Sequence, residues 1–374
     1  CLLLNTTPVI GIVGSQGAYG RWLRQFFTAR MGLQVIGRDP ADEQPLSERE
    51  LIARADVLVF AAPIRLTTTL VHDYARIAAG SEQGKLWLDV TSIKAGPIAA
   101  MLQSQAEVLG LHPMTAPPKS PTLKGRVMVV CEARLHAWRD WVQSLLEALQ
   151  AECVHATPEH HDQVMALVQA MVHATHLAQA GVIRQYADQL GGLADLLPYR
   201  SASFEMDSAV TARILSQNPA IYEDIQFGNP HVAPMLEAML QQLAHLHTQV
   251  SRGDDAARAL FRQDFLSANQ QAQGGKSLAD GNYSFERIAY LLADLTEKRS
   301  LSIHLPEDRP GSLRALLDVF ERHGISISSL HSSRTPAGEV HFRMGFGEGS
   351  LASALLLAAQ EIDRSGIGRV LTAP

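Results

Sequence analysis

Residues 9–20 read VIGIVGSQGAYG, an apolar run that breaks into glycines at positions 11, 14, 17 and 20. A dinucleotide-binding turn, G-x-G-x-x-G, follows a strand and opens a helix, and its glycines let the backbone approach a pyrophosphate closely. The nearest match here has Ser15 in place of the first glycine, with Gly17 and Gly20 as the second and third. The stretch therefore fits either a nucleotide site or a strand that ends in a flexible turn, and the rest of the chain has to distinguish them.

The composition narrows the class of protein. The chain has 374 residues, which suggests two or three domains, and its 46% hydrophobic and 19% charged residues are typical of globular proteins. A formal net charge of -6 without a basic cluster argues against nucleic acid as a partner. Cys1, Cys131 and Cys153 form neither a disulfide framework nor a metal-ligand spacing, which favours a cytoplasmic location. No apolar run reaches the roughly 18 residues of a membrane span.

Three regions differ in their hydrophobic periodicity. Residues 1–157 alternate apolar runs with helical patterns, which predicts an α/β fold with a Rossmann-type, mainly parallel sheet. The predicted strands are Val9–Val13, Leu33–Ile36, Val57–Phe60, Leu86–Val90, Val108–Gly110 and Val127–Cys131. Residues 158–298 are predicted to be helical, with a loop or hinge at Gln273–Tyr283, and their apolar content suggests a homodimer. Residues 299–374 show the ferredoxin-like βαββαβ pattern.

The order of elements around the opening stretch favours a nucleotide site. Gly14 supplies the turn, Gly17 allows close approach, and Asp39 follows the second predicted strand, where a carboxylate receives the ribose hydroxyls of NAD. Arg38 could meet the 2′-phosphate of NADP, but Asp39 would repel that phosphate, so NAD is the predicted cofactor. The predicted cofactor contacts are Gly14, Ser15, Gly17, Ala18, Tyr19, Arg38, Asp39, Ala62 and Pro63.

Two polar segments follow later strands of the predicted sheet, at the edge where α/β sheets bind ligands. LDVTSIKAGP, residues 88–97, carries Ser92 and Lys94, and GLHPM, residues 110–114, places His112 immediately after a short strand. His112 is either a general base, since imidazole titrates near neutral pH, or a histidine that caps a strand end. Ser92 would hydrogen-bond a substrate hydroxyl or His112, and Lys94 would contact substrate or cap its loop.

These motifs resemble the prephenate dehydrogenase family of tyrosine biosynthesis. The glycine turn, SIKAGP, GLHPM and a later helix beginning HDQVMALVQA carry the resemblance over about residues 9–270, and residues 299–374 resemble an ACT domain. The resemblance implies NAD-dependent oxidative decarboxylation of prephenate to 4-hydroxyphenylpyruvate, with His112 as the catalytic base. It also implies that Arg213 binds a substrate carboxylate, that His173 lies near the substrate pocket, and that Thr115 contacts the substrate.

Several alternatives stay open at this point. An arogenate (cyclohexadienyl) dehydrogenase would differ only in its substrate, whereas a non-catalytic amino-acid sensor would explain Ser15 and the ACT-like end. In that end Ser326 replaces the usual asparagine, so tyrosine or phenylalanine as an effector is a hypothesis. No metal is expected, because nicotinamide redox chemistry needs none. His160, His161 and His176 receive no role.

Overall fold

The computed structural model describes residues 7–118, 120–295, 299–305, 309–334, 340–347 and 349–372. The chain divides into two compact units, one of Cys1–Arg200 with Met206–His247 and one of Ser201–Glu205 with Thr248–Pro374. Cys1, one of the cysteines considered above, lies outside the described residues.

The alternating strands and helices of the first unit build one sheet. Within the described residues its strands are β1 (Ile10–Val13), β2 (Val35–Arg38), β3 (Val57–Phe60), β4 (Leu86–Asp89), β5 (Glu107–Pro113), β6 (Val127–Arg134) and β7 (Glu152–His155). They lie in the order β2-β1-β3-β4-β5-β6-β7, and neighbours are parallel except for β5 and β6. The predicted Rossmann-type, mainly parallel sheet is confirmed.

The fifth strand is longer than the sequence pattern indicated. β4 pairs with β5 only as far as Gly110, after which β6 alone pairs with Leu111, His112 and Pro113. The prediction that His112 follows a short strand is therefore wrong, because the antiparallel partner extends the strand and His112 lies opposite Val129. His112 still lies beyond the end of β4, at the carboxyl edge of the parallel strands.

Other strand predictions differ in smaller ways. β2 begins at Val35, two residues later than predicted, and β7 was not predicted. β7 is an edge strand of mostly exposed residues, so its sequence, ECVH, carries no apolar alternation.

Apolar side chains cover both faces of this sheet. Successive strand residues point to opposite faces, so Ile12 and Val59 belong to one buried cluster whereas Val13 and Phe60 belong to the other. Burial on both faces explains why these strands read as continuous apolar runs.

Helices connect the strands of this sheet and follow it along the chain. Those described are α1 (Ala18–Gln25), α2 (Glu48–Arg54), α3 (Ile64–Ala78), α4 (Ala95–Met101), α5 (Arg139–Leu149), α6 (Pro158–Met165), α7 (Val172–Gln185), α8 (Ala187–Leu190), α9 (Leu193–Leu196), α10 (Ala202–Ser216), α11 (Pro219–Gly228), α12 (Val232–Arg252), α13 (Asp255–Phe261), α14 (Ala268–Gln273) and α15 (Gly275–Leu295). π-helical turns extend α1, α6 and α13, and a 3₁₀ turn, Leu197–Tyr199, follows α9. The predicted helical region is confirmed.

The loop predicted at Gln273–Tyr283 is wrong. Only Gly274, with φ of +78°, interrupts the helical backbone there, and α15 begins at Gly275. A glycine inside a helix, such as Gly281, costs about 1 kcal/mol relative to alanine. That cost does not end a helix of this length, so the polar and glycine-rich composition misled the prediction.

The second unit contains the predicted ferredoxin-like pattern. Its elements after α15 are β8 (Ser300–Leu305), α16 (Ser312–Arg322), β9 (Ile327–Arg334), β10 (Val340–Phe346), α17 (Ala352–Ser365) and β11 (Arg369–Thr372). The strands form an antiparallel sheet in the order β11-β8-β10-β9 over a core that includes Ile303, Phe320 and Ile362. Within the described residues, no helix combines the length and apolar character that crossing a membrane requires.

Candidate functional site

The turn after β1 is built so tightly that two of its positions require glycine. Gly14 has a φ of +84°, and a Cβ there would lie 2.8 Å from the carbonyl oxygen of Ala61, just after β3. A Cβ on Gly20 would collide with the carbonyl oxygen of Gly14. Gly17 is the residue that precedes the first turn of α1. The turn therefore sits against the end of β3, with the N-terminus of α1 directed at the carboxyl edge of the sheet.

Ser15 fits this turn because β2 leaves room for it. Its side chain is buried, and a Cβ on Gly37 would lie 2.5 Å from the Cβ of Ser15. Because Gly37 has no side chain, the Ser15 side chain fits at a position where the fingerprint has glycine. The missing first glycine of the fingerprint is compensated on the neighbouring strand.

Asp39 and Arg38, the residues predicted to select the cofactor, differ in how far they are engaged. The Asp39 carboxylate accepts hydrogen bonds from the backbone N–H groups of Gln16 and Ala41, each at 3.0 Å. Arg38 forms an ion pair with Glu48 at 2.5 Å and also donates to the carbonyl oxygen of Leu46. Asp39 is therefore tied to the glycine turn, whereas Arg38 is directed to α2.

A hydrogen bond joins the glycine turn to the segment after β5. The hydroxyl of Tyr19, on the first turn of α1, donates to the carbonyl oxygen of Thr115 at 2.5 Å. Ala62 and Pro63 follow β3, and Pro63 precedes α3 as its N-cap. The predicted cofactor residues and Thr115 therefore meet at one edge of the sheet.

His112 is linked to a second histidine and, through it, to a carboxylate. Nδ1 of His112 lies 2.8 Å from Nε2 of His161, and Nδ1 of His161 lies 2.7 Å from Oδ1 of Asp162. All three residues are buried, with His112 3% exposed. Nε2 of His112 has no hydrogen-bond partner among the described residues, so it is the ring nitrogen left to accept a proton.

The surroundings of His112 disfavour its charged form. Burial lowers the pKa of His112 well below its usual range, and the nearby His161 and Lys94 lower it further. His112 is therefore neutral near pH 7, as a general base must be.

Lys94 is held inside the domain by its own partners. Its ammonium group forms an ion pair with Asp89 and donates to the carbonyl oxygen of Leu111 at 2.8 Å, and both charged side chains are 0% exposed. Of the two roles predicted for Lys94, the geometry favours the structural one. Because Leu111 precedes His112, the Lys94 ammonium group holds the backbone next to His112.

Ser92 lies between Lys94 and the end of β4 and is half-buried. Among the described residues its hydroxyl has no hydrogen-bond partner, and Nδ1 of His112 is occupied by His161. The predicted hydrogen bond from Ser92 to His112 is not formed. A contact with substrate remains the role that Ser92 can fill.

The two residues predicted to bind substrate from the helical region lie in different surroundings. His173 on α7 packs edge-on against Tyr222, with ring centroids 4.8 Å apart, and burial lowers its pKa. Arg213 is exposed near the end of α10. Among the described residues, no contact joins Arg213 to His173 or His112. His176, one turn after His173 on α7, has its Nε2 3.2 Å from Oδ1 of Asp207.

Sequence analysis missed His161 and Asp162, which the structure brings to His112. Thr157 and Pro158 start α6, because the Thr157 hydroxyl accepts from the His160 N–H and proline suits the first helical turn. This start places His161 and Asp162 against β5 and α4. An adjacent His-Asp pair near the start of a helix was the available signal, but the histidine's partner, His112, lies 49 residues away along the chain.

Among the described residues, no cluster of His, Cys, Asp and Glu is arranged to hold a metal.

The sheet order, the glycine turn and the buried histidine at the carboxyl edge define a Rossmann-type dehydrogenase fold with an added antiparallel α/β unit. Two family models match the chain: "Prephenate dehydrogenase, dimerization domain" over residues 157–263 and "ACT domain" over residues 299–346. A 4-amino-4-deoxyprephenate dehydrogenase of Streptomyces pristinaespiralis is 30% identical over 276 residues, which are 67% of this chain and 88% of that protein. The chain belongs to the prephenate dehydrogenase family and carries an ACT domain.

Other relatives agree with this assignment. A probable arogenate/prephenate dehydrogenase of Methanocaldococcus jannaschii is 25% identical over 79% of this chain and 67% of that protein. The T-protein of Enterobacter agglomerans is 27% identical over 67% of this chain, and the chain spans 64% of its length.

Solved structures share the fold. The prephenate dehydrogenase of Aquifex aeolicus, crystallised with hydroxyphenyl propionate and NAD+, superposes with a TM-score of 0.55 at 17% identity, over 71% of this chain and 99% of that one. Synechocystis arogenate dehydrogenase superposes with a TM-score of 0.51 at 19% identity, over 70% of this chain and 99% of that one.

Proposed function

We propose that this protein is an NAD-dependent prephenate dehydrogenase that oxidises and decarboxylates prephenate to 4-hydroxyphenylpyruvate. The observation that carries the proposal is a buried, neutral His112 whose Nε2 is unengaged at the carboxyl edge of the sheet. The Tyr19–Thr115 hydrogen bond places this edge next to the glycine turn. A relative of the same fold was crystallised with NAD+ and a hydroxyphenyl compound.

The residues around the glycine turn fit a dinucleotide. A Cβ at Gly14 or Gly20 would fill the backbone cradle, and the N-terminus of α1 offers a positive end to a pyrophosphate. Gly14, Ser15, Gly17, Ala18 and Tyr19 would hold the pyrophosphate side, and Asp39 the ribose hydroxyls, with Ala62 and Pro63 lining the opposite wall. Arg38 is paired with Glu48, which favours NAD over NADP. When bound, the nicotinamide supplies the hydride acceptor.

The chain itself supplies position and a base. Nε2 of His112 takes the proton of the 4-hydroxyl as C4 is oxidised to a ketone. The ring carboxylate then leaves as CO2, its electron pair makes the ring aromatic, and the phenolate oxygen recovers the proton from His112. General base catalysis of this kind contributes about 10²–10⁴-fold.

Substrate contacts are proposed for four further residues. The Arg213 guanidinium, with its two parallel donors, would pair with a substrate carboxylate. His173, Ser92 and Thr115 would hydrogen-bond the remaining polar groups.

A second substrate follows from the relative at 30% identity, whose name specifies 4-amino-4-deoxyprephenate. In that substrate an amine replaces the 4-hydroxyl, and the same neutral His112 can accept its proton. Arogenate, which carries an amino group on the side chain, is the third substrate to compare.

A steady-state assay tests the proposal directly. Purified protein is mixed with prephenate, arogenate or 4-amino-4-deoxyprephenate and with NAD or NADP, and NADH or NADPH absorbance is followed. The highest kcat/KM is expected with prephenate and NAD. Flat absorbance with every pair would favour the non-catalytic amino-acid sensor, whereas a higher kcat/KM with another substrate would reassign the specificity. His112→Asn is expected to reduce kcat by at least 10²-fold, and full turnover would remove His112 from the mechanism.

We also propose a homodimer and an amino-acid effector. Many apolar side chains of residues 158–298 are exposed in the single chain, including Leu215, Phe227 and Leu240, and the family model over this region is named for dimerisation. We further propose that the chain has three domains, formed by residues 1–157, 158–298 and 299–374. Analytical ultracentrifugation would show twice the 40.7 kDa chain mass.

Calorimetry with tyrosine and phenylalanine tests whether the ACT domain binds either amino acid.

A further inference from the structure

His112, His161 and Asp162 form a row of hydrogen bonds. The distances alone do not say which ring nitrogens carry the protons. Each imidazole has one donor and one acceptor nitrogen when neutral, and which nitrogen carries the proton depends on its partners. The carboxylate of Asp162 accepts hydrogen bonds only, so it determines the proton on the nitrogen it faces. The remaining protons follow from that end of the chain.

Asp162 is held as a carboxylate by three donors. Its Oδ1 accepts from the backbone N–H of Lys94 at 2.8 Å and from His161, and its Oδ2 accepts from the N–H of Ala95 at 2.9 Å. Burial by itself would raise the pKa of Asp162, but the hydrogen bonds with His161 and these two N–H groups lower it overall. The Asn229 side chain fixes the backbone at this point by donating to the Asp162 carbonyl oxygen at 2.7 Å.

The ionised Asp162 therefore requires a proton on Nδ1 of His161. In its neutral form, His161 then presents a lone pair at Nε2, which accepts from Nδ1–H of His112. The proton of a neutral His112 is thereby placed on Nδ1, and the lone pair is left on Nε2. In the opposite tautomer of His112, two lone pairs would face each other across 2.8 Å.

We propose that His161 and Asp162 are positioning residues that hold the proton of His112 on Nδ1 and so leave Nε2 as the proton acceptor. This inference rests on the proposed function, in which His112 is the base. Neither residue needs to touch substrate. When Nε2 takes the substrate proton, Nδ1–H continues to donate to His161, and the positive charge on His112 is partly balanced by Asp162 through the shared ring.

The charges around His112 are consistent with this arrangement. His161 from α6 carries no charge in this arrangement, and Lys94 from the segment before α4, a cation that acts on His112, is paired with Asp89. Asp162 is therefore the negative group positioned to stabilise the imidazolium through His161.

The proton positions can be measured without turnover. Protein labelled with ¹⁵N-histidine is examined by NMR at pH 8, and the His112 signals are assigned with His112→Asn. The expected result is a protonated Nδ1 and an unprotonated Nε2 on His112, with a protonated Nδ1 on His161. A proton on Nε2 of His112 in the wild-type chain would overturn the inference, whatever the assay with prephenate shows.

Kinetics of matched variants test whether the arrangement matters for catalysis. His161→Gln keeps an acceptor at the same reach, whereas His161→Leu removes it. His161→Leu is expected to lower kcat about 10²-fold with KM changed less than about threefold, and His161→Gln to recover at least a tenth of the wild-type kcat. His160→Leu is the control, because His160 is exposed on the same helical turn and its side chain contacts none of these groups.

The outcomes separate the inference from the proposed function. Wild-type kcat in His161→Leu, or equal losses in the Leu and Gln variants, would refute the positioning role while the dehydrogenase assignment stands. A wild-type protein that oxidises none of the three substrates would refute the proposed function, and the NMR result would then still decide the tautomer. Thermal melting of each variant verifies that it is folded.

Discussion

Lys94→Met removes one partner of an ion pair that solvent does not reach. Without the ammonium group, one oxygen of Asp89 keeps hydrogen bonds from the backbone N–H and hydroxyl of Thr91, at 3.1 and 2.5 Å. The carboxylate loses its counter-charge, its Oδ1 has no partner among the described residues, and the carbonyl oxygen of Leu111 loses its donor. Methionine fills most of the volume of lysine, so the change is mainly one of charge.

The expected loss is large because both groups are buried. Breaking a buried ion pair by removing one partner costs about 3–5 kcal/mol, whereas replacing both partners with neutral groups can be nearly neutral. We expect Lys94→Met to lower the free energy of unfolding of the first unit by about 3 kcal/mol or more. Asp89→Asn combined with Lys94→Met should recover part of that loss, because it also removes the uncompensated charge.

Urea unfolding followed by tryptophan fluorescence measures this loss. The four tryptophans, Trp22, Trp87, Trp138 and Trp141, all belong to the first unit, so the signal reports on the part of the chain that holds the ion pair. Lys124→Met is the matched control, since Lys124 is exposed and its side chain has no partner among the described residues. A loss below about 1 kcal/mol for Lys94→Met would refute the structural role and return Lys94 to the candidates for substrate contact.

Three further predictions concern the base, the glycine turn and the substrate. Burial lowers the pKa of His112, so kcat/KM should stay constant down through pH 6.5 and fall only below it. Because the unfolded chain takes up that proton near pH 6.5, stability should also decline below this pH; an acid limb at or above pH 6.5 would contradict the assignment. Gly37→Ala should raise the KM for NAD at least several-fold, because its methyl group would overlap Ser15, and adding Ser15→Gly should reverse most of the effect, since the other close atom is Nη2 at the flexible end of Arg24. Failure of the double variant to recover would show that the two positions are not coupled. Arg213→Ala should raise the KM for prephenate about tenfold or more with little change in kcat, whereas the exposed Arg184→Ala should not; an unchanged KM would exclude the carboxylate contact.

Local sequence patterns were sufficient for most of the fold. The apolar strands, their alternation with helices and the βαββαβ order follow from side-chain periodicity, which depends only on residues near one another in the chain. The glycine turn could be located for the same reason, because the φ of Gly14 is a local property. His112 was selected as the candidate base from its motif even though its strand was predicted too short.

Long-range contacts account for what the sequence analysis missed. The antiparallel pairing of β6 extends β5 past His112, and the packing of α6 against that strand brings His161 to its ring and Asp162 to the far side of His161. Gly37, on a different strand, leaves space for the Ser15 side chain. The buried ammonium group of Lys94 is held by Asp89 and by the carbonyl oxygen of Leu111. Hydrogen bonds and charge interactions act over a few ångströms in space and carry no periodic signature along the chain. The candidate base can therefore be selected from a linear motif, whereas its burial, its contact with His161 and the neighbouring ion pair depend on how the strands and helices pack.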